Sequence, residues 1–148
     1  MRLAMFAAAA VLGLAGPAAA QCDLPAPSPE AAGWQVSQEG GEWVATHPDH
    51  PGLEVALFMH SPSRPVVLDW QVPQRYGGRI GVLQHFAGEP GTSHLVTLVH
   101  NVLVDLQTGK TLGDGEYSAD CELAGWDWQD SRVVVQSAGY GEVVIALP

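Results

Sequence analysis

Apolar residues recur at every second position in run after run of this chain, and that period of two admits little except β-strands. Leu53, Val55, Leu57 and Met59 alternate with Glu54, Ala56, Phe58 and His60, so the first set faces a core while the second faces outward or an interface. Val66, Leu68, Trp70 and Val72 repeat the pattern, with Asp69 and Gln71 on the opposite side. The three-to-four spacing of an amphipathic helix is almost missing beyond the N-terminal segment.

Glycine and proline punctuate these runs. Gly40-Gly41 tolerates the positive φ angles of a tight hairpin, which predicts antiparallel pairing of Trp34–Ser37 with Glu42–His47. Ser61–Pro65 is a turn, Gly77-Gly78 opens the run Arg79–Phe86, and Gly88–Ser93 separates it from the apolar run His94–Leu106. That run is long for one strand, and His100-Asn101 is read as a turn between Leu95–Val99 and Val102–Leu106. Gln107–Lys110 is a tight hairpin with Gly109 left-handed. Arg132–Ser137 and Glu142–Leu147 close the chain through Ala138–Gly141, for a total of roughly nine to eleven short strands.

Strands of this kind build an all-β domain, expected as an antiparallel β-sandwich or partly closed barrel. Val102–Lys110 and Trp128–Val135 resemble the strand-turn-strand phrasing of β-propeller blades. The resemblance covers about a third of the chain, and roughly 128 residues hold at most about three blades of 40 to 45, so a closed propeller would need an oligomer. It implies shape and no catalytic residues. A propeller-like β-meander is therefore the alternative fold.

Residues 1–20 have the layout of a secretory signal peptide: Arg2, an apolar stretch from Leu3 to about Ala15, then Gly16-Pro17 and the small residues Ala18, Ala19 and Ala20. The apolar stretch is short of the roughly 20 residues that span a bilayer, so no membrane insertion is expected once the signal is removed. Gln21 before Cys22 is a poor site for lipid attachment. Residues 21–33 are expected to form a Pro-rich extended tail and residues 34–148 a single domain. The protein is read as periplasmic or secreted. There, Cys22 and Cys121, the only two cysteines, are expected to form a disulfide. In the loop-entropy view that closure stabilises by about 4 to 5 kcal/mol.

A net charge of −10, with only six Lys and Arg, excludes nucleic acid and disfavours anionic membranes, since both demand clustered cations.

Six histidines in a chain of 148 residues make metal chemistry the first site to weigh, because neutral imidazoles are common zinc and copper ligands. His47-Pro48-Asp49-His50 is the densest group, and Met59-His60 adds softer donors, so His47, His50 and His60 are the candidate metal ligands. Prolines exclude the helix on which a zinc-protease pair sits. Asp114, Glu116, Ser118, Asp120 and Glu122 fall at alternate positions, and as a strand they would line one face. A calcium loop starting at Asp114 would want glycine at Ala119 and glutamate at Gly125, so an acidic strand edge that discourages pairing with other molecules is preferred.

No nucleophile elbow, P-loop or dinucleotide motif occurs. Asp127 and Asp130 are a carboxylate pair without known separation. Trp126, Trp128 and Tyr140 form a candidate binding surface, because aromatic side chains are favoured at binding hot spots and sugar platforms. The sequence thus points to a non-catalytic binding module of the cell envelope, holding a protein or glycan partner without a cofactor. A histidine-based periplasmic copper or zinc protein is the alternative, and a small hydrolase a third.

Overall fold

The computed structural model describes residues 26–88, 97–119, 125–137 and 141–148. The signal segment, Cys22, His94, Cys121 and Tyr140 lie outside these residues, and with them the expected disulfide.

Among the described residues ten strands form three antiparallel sheets. The first sheet holds β1 (Gln35–Glu39), β2 (Glu42–Thr46) and β3 (Glu54–Leu57) in that order. Gly40 and Gly41, at φ of 59° and 96°, make the two-residue turn that sets Glu39 opposite Glu42. The middle sheet runs β4 (Val66–Gln71), β5 (Ile80–Gly88), β6 (Thr97–Asp105) and β7 (Lys110–Ala119). The third is β10 (Gly141–Ala146), β9 (Arg132–Ser137) and β8 (Gly125–Trp128).

Alternation along the middle sheet builds two cores at once. One face sends Val67, Trp70, Leu83, Val102 and Val104 against Ala45, Leu53, Val55 and Leu57 of the first sheet and its loops. The other sends Leu68, Ile80, Val82, Val99 and Leu103 against Val133, Val135 and Ile145 of the third. The fold is therefore an all-β sandwich of three layers with no closed barrel, and the propeller-like alternative is not adopted.

Burial on both faces explains a correction. His100-Asn101 is not a turn: both residues lie mid-strand in β6, which pairs without a break at that point with β5. A strand covered on both sides reads as a continuous apolar run instead of an alternating one, and that removed the cue that separates one long strand from two short ones.

Two smaller expectations also change. In β4 the pairing shifts between Val67 and Asp69. This bulge turns Val67 into the first core and leaves Val66 39% exposed. In the tail, Pro29–Gly33 is a 3-10 turn capped by the Ser28 hydroxyl, which accepts from Ala31 N–H, instead of extended chain. Proline at the first helical position is pre-set for that turn. Ser28 N–H donates to the Leu68 carbonyl at 2.8 Å, so this segment lies against the open edge of β4.

The Asp105–Lys110 hairpin forms as expected, with Gly109 at φ 70°. Asp105 accepts from Gln107 N–H at 2.9 Å and from the Arg79 guanidinium at 2.8 Å. The Arg79 hydrogen bond, helped by Gln107, holds its carboxyl down to about 2. Among the described residues no helix is long and apolar enough to cross a membrane.

Candidate functional site

Two polar dipeptides interrupt the most apolar strands, Gln84-His85 in β5 and His100-Asn101 in β6. Antiparallel register sets Gln84 opposite Asn101 and His85 opposite His100. Because side chains alternate, these neighbouring rungs project to opposite faces of the middle sheet. Towards the third sheet, Gln84 Nε2 donates to Asn101 Oδ1 at 3.0 Å, a buried amide pair within the second core.

Towards the first sheet, three side chains form a chain of hydrogen bonds. His85 Nδ1 lies 3.0 Å from the Phe86 carbonyl, His85 Nε2 3.2 Å from His100 Nδ1, and His100 Nε2 2.9 Å from Asp114 Oδ2. The partners assign the protons. A carbonyl only accepts, so His85 Nδ1 carries hydrogen. Burial pushes the His85 imidazole down to about 4, against the pull of the Phe86 carbonyl and with a further push from His100. His85 is therefore neutral near pH 7 and its Nε2 accepts, which makes His100 Nδ1 the donor. Asp114 Oδ2 accepts, so His100 Nε2 donates as well. Both His100 nitrogens are thus engaged, Nδ1 by His85 and Nε2 by Asp114.

A second pair lies beside the first. Glu116 stands opposite His100 in the β6–β7 register. His60 Nε2 reaches both of its carboxylate oxygens, at 2.7 and 2.8 Å. Phe58, 54% exposed, packs its ring edge-on to His60 at 4.8 Å and to His100 at 6.1 Å between centroids.

Phe58, His100 and Asp114 line a groove of about 630 Å³ between the first and middle sheets. Trp43, Leu57, Phe58, Met59 and Val102 supply apolar wall, while Gln38, Glu42, His100, Thr111 and Asp114 supply polar groups. Ser61 also lines it, and its Oγ is buried without a hydrogen-bond partner among the described residues. The loop carrying Ser61 is held by His60 N–H, which donates to the Ala87 carbonyl at 2.7 Å. The size and the mix of apolar wall with a few polar groups match a small-molecule site.

The three candidate metal ligands do not converge. His47 and His50 adjoin, with ring centroids 5.3 Å apart, but they pack against Trp34 and Trp70 in a ring of four aromatic contacts. His47 Nδ1 accepts from Asp49 N–H at 3.1 Å, and a Cβ added at Gly33 would lie 2.1 Å from its Nε2, which shows how closely that nitrogen is packed. His60 is bonded to Glu116 instead. Among the described residues no group of three or more His, Cys, Asp or Glu side chains is placed to hold a metal ion.

Trp126 and Trp128 do share a face of β8, with rings 5.8 Å apart and nearly parallel at 18°. Both are half-buried against the second core, and Trp128 lies against Tyr76 at 5.6 Å. Asp130 pairs with Arg75 at 2.7 Å, while Asp127 accepts from Gln129. Of the alternating acids, Asp114 and Glu116 fall on one face of the edge strand β7, where both are engaged by histidines.

His85 and His100, not the denser His47–His50 group, thus sit at the centre of the site. The available signal was one polar dipeptide in each of two successive apolar runs, at positions that an antiparallel hairpin brings into register. The chain matches no known protein family, no curated protein and no solved structure.

Proposed function

We propose that the protein is an exported, non-catalytic binding module whose ligand site is the groove between the first and middle sheets. The observation that carries this reading is the groove itself: about 630 Å³ of mixed aromatic and aliphatic wall beside the His85–His100–Asp114 hydrogen-bond chain. Export rests on the signal-like residues 1–20 and places the module in the periplasm or outside the cell.

Binding is favoured over hydrolysis because a nucleophile needs a base within hydrogen-bond reach. Ser61 Oγ has no such partner among the described residues, and both His100 nitrogens are committed. The groove is favoured over the Trp126–Trp128 pair because those rings are half-covered by the core they pack on. The neighbouring histidine–carboxylate pairs add polar definition around an apolar wall, the usual division of labour in small-ligand sites.

Titration of the mature chain with indole, followed by NMR, tests the site. The expected result is a saturable set of shifts centred on Trp43, Phe58 and His100, with Phe58→Ala weakening binding by about tenfold as an aromatic contact is lost. Shifts scattered over the surface, or centred on Trp126 and Trp128, would overturn the assignment.

A further inference from the structure

We infer that the ligand of this groove is a small cationic amphiphile, an apolar ring carrying a primary ammonium group. The inference rests on the groove being the binding site and adds the charge of its occupant.

Three observations lead to it. Glu42 and Asp114 line the groove, and none of its lining residues is Lys or Arg. His100 is 5% exposed and has both ring nitrogens engaged by His85 and Asp114, so it offers an incoming anion no donor. Within the lining, Glu42 therefore faces no lysine or arginine. Trp43 and Phe58 present aromatic surface to the same space, and an ammonium near such faces gains a further attraction.

The free oxygen of Asp114 is the second anchor. Among the described residues only its Oδ2 is hydrogen-bonded, and an ammonium with three donors can take Oδ1 without displacing His100. Acidic side chains alone would attract only loosely held counterions. Here they rim an apolar cavity large enough for a ring, so the charge and the ring are recognised together.

Three probes of one skeleton separate the readings: indole, tryptamine and indole-3-propionate. Tryptamine is expected to bind about tenfold more tightly than indole, and indole-3-propionate more weakly than either. Glu42→Gln and Asp114→Asn should each erase several-fold of the tryptamine advantage over indole. Salt near 1 M should shrink the advantage as well. If tryptamine binds no better than indole, or the propionate binds best, the cationic assignment fails while the groove stands. If none of the three shifts Trp43, Phe58 or His100, the groove itself fails.

Discussion

A buried imidazole that stays neutral makes stability depend on pH. His85 is fully buried, and burial holds it at about 4 instead of the ordinary 6.5. Between those values the unfolded chain binds a proton that the folded chain refuses, so acid favours unfolding. The stabilisation is complete above pH 6.5, declines as pH falls through the window, and is lost near pH 4. The shift corresponds to about 3 kcal/mol. Urea unfolding followed across that window should show the loss, and His85→Phe should flatten the slope while lowering stability near neutral pH, because it strands the His100 Nδ1 donor. A wild-type profile flat across the window would show that His85 protonates freely in the fold. Asp105 works in the same sense but lower down. Its contribution is present above 3.8 and is lost as pH falls towards 2, so the two losses succeed each other in separate windows.

Strand contacts across layers impose demands that show up at single glycines. Gly113 and Gly115 of β7 face β10, where an added Cβ would lie 2.7 Å from Ile145 Cγ2 and 2.4 Å from Val143 Cγ1. The third sheet sits close because these two positions carry no side chain. Gly115→Ala should destabilise by about 1 to 3 kcal/mol, and Val143→Ala in the same chain should recover part of the loss. Additive losses in thermal or urea unfolding would mean that the two residues do not share the contact. These glycines look like ordinary turn punctuation in the sequence, since nothing in one strand says which layer will cover it. Local chemistry was far more legible. Gly40-Gly41 announced its hairpin, and the alternation of Leu53, Val55 and Leu57 announced a face, because turn dihedrals and side-chain alternation are properties of neighbouring residues. The β4 bulge, the unbroken β6 and the convergence of His85, His100 and Asp114 depend on register between strands, with His85 and His100 15 residues apart and His100 and Asp114 14 apart in sequence. The densest histidine group, His47 and His50, was the misleading cue: proximity in sequence brought their rings together but against tryptophan, not with a third ligand.

The two cores share one sheet, and that sharing governs how the whole molecule unfolds. Leu83 belongs to the first core and Val82 to the second, on adjacent residues of the same strand. Losing either cover exposes a face of β5 and β6, and strands stripped on one side keep only half of the apolar burial that holds them. The first and third layers should therefore come apart together. Leu83→Ala should cost about 2 to 5 kcal/mol. It should also lower the unfolding midpoint equally for both tryptophan groups, Trp34 and Trp70 in the first core and Trp126 and Trp128 against the second. Variants retaining only one group at a time, with phenylalanine elsewhere, allow that comparison. Coincident transitions would mark one cooperative unit. Separate midpoints would mean that the third sheet melts on its own, leaving the groove intact on a two-layer remnant. In the cooperative case, a ligand held in the groove between the first and middle sheets stabilises the third sheet as well, through linkage to the same folded state. A rise in the Trp126–Trp128 midpoint on adding tryptamine would then report groove occupancy from the far side of the molecule.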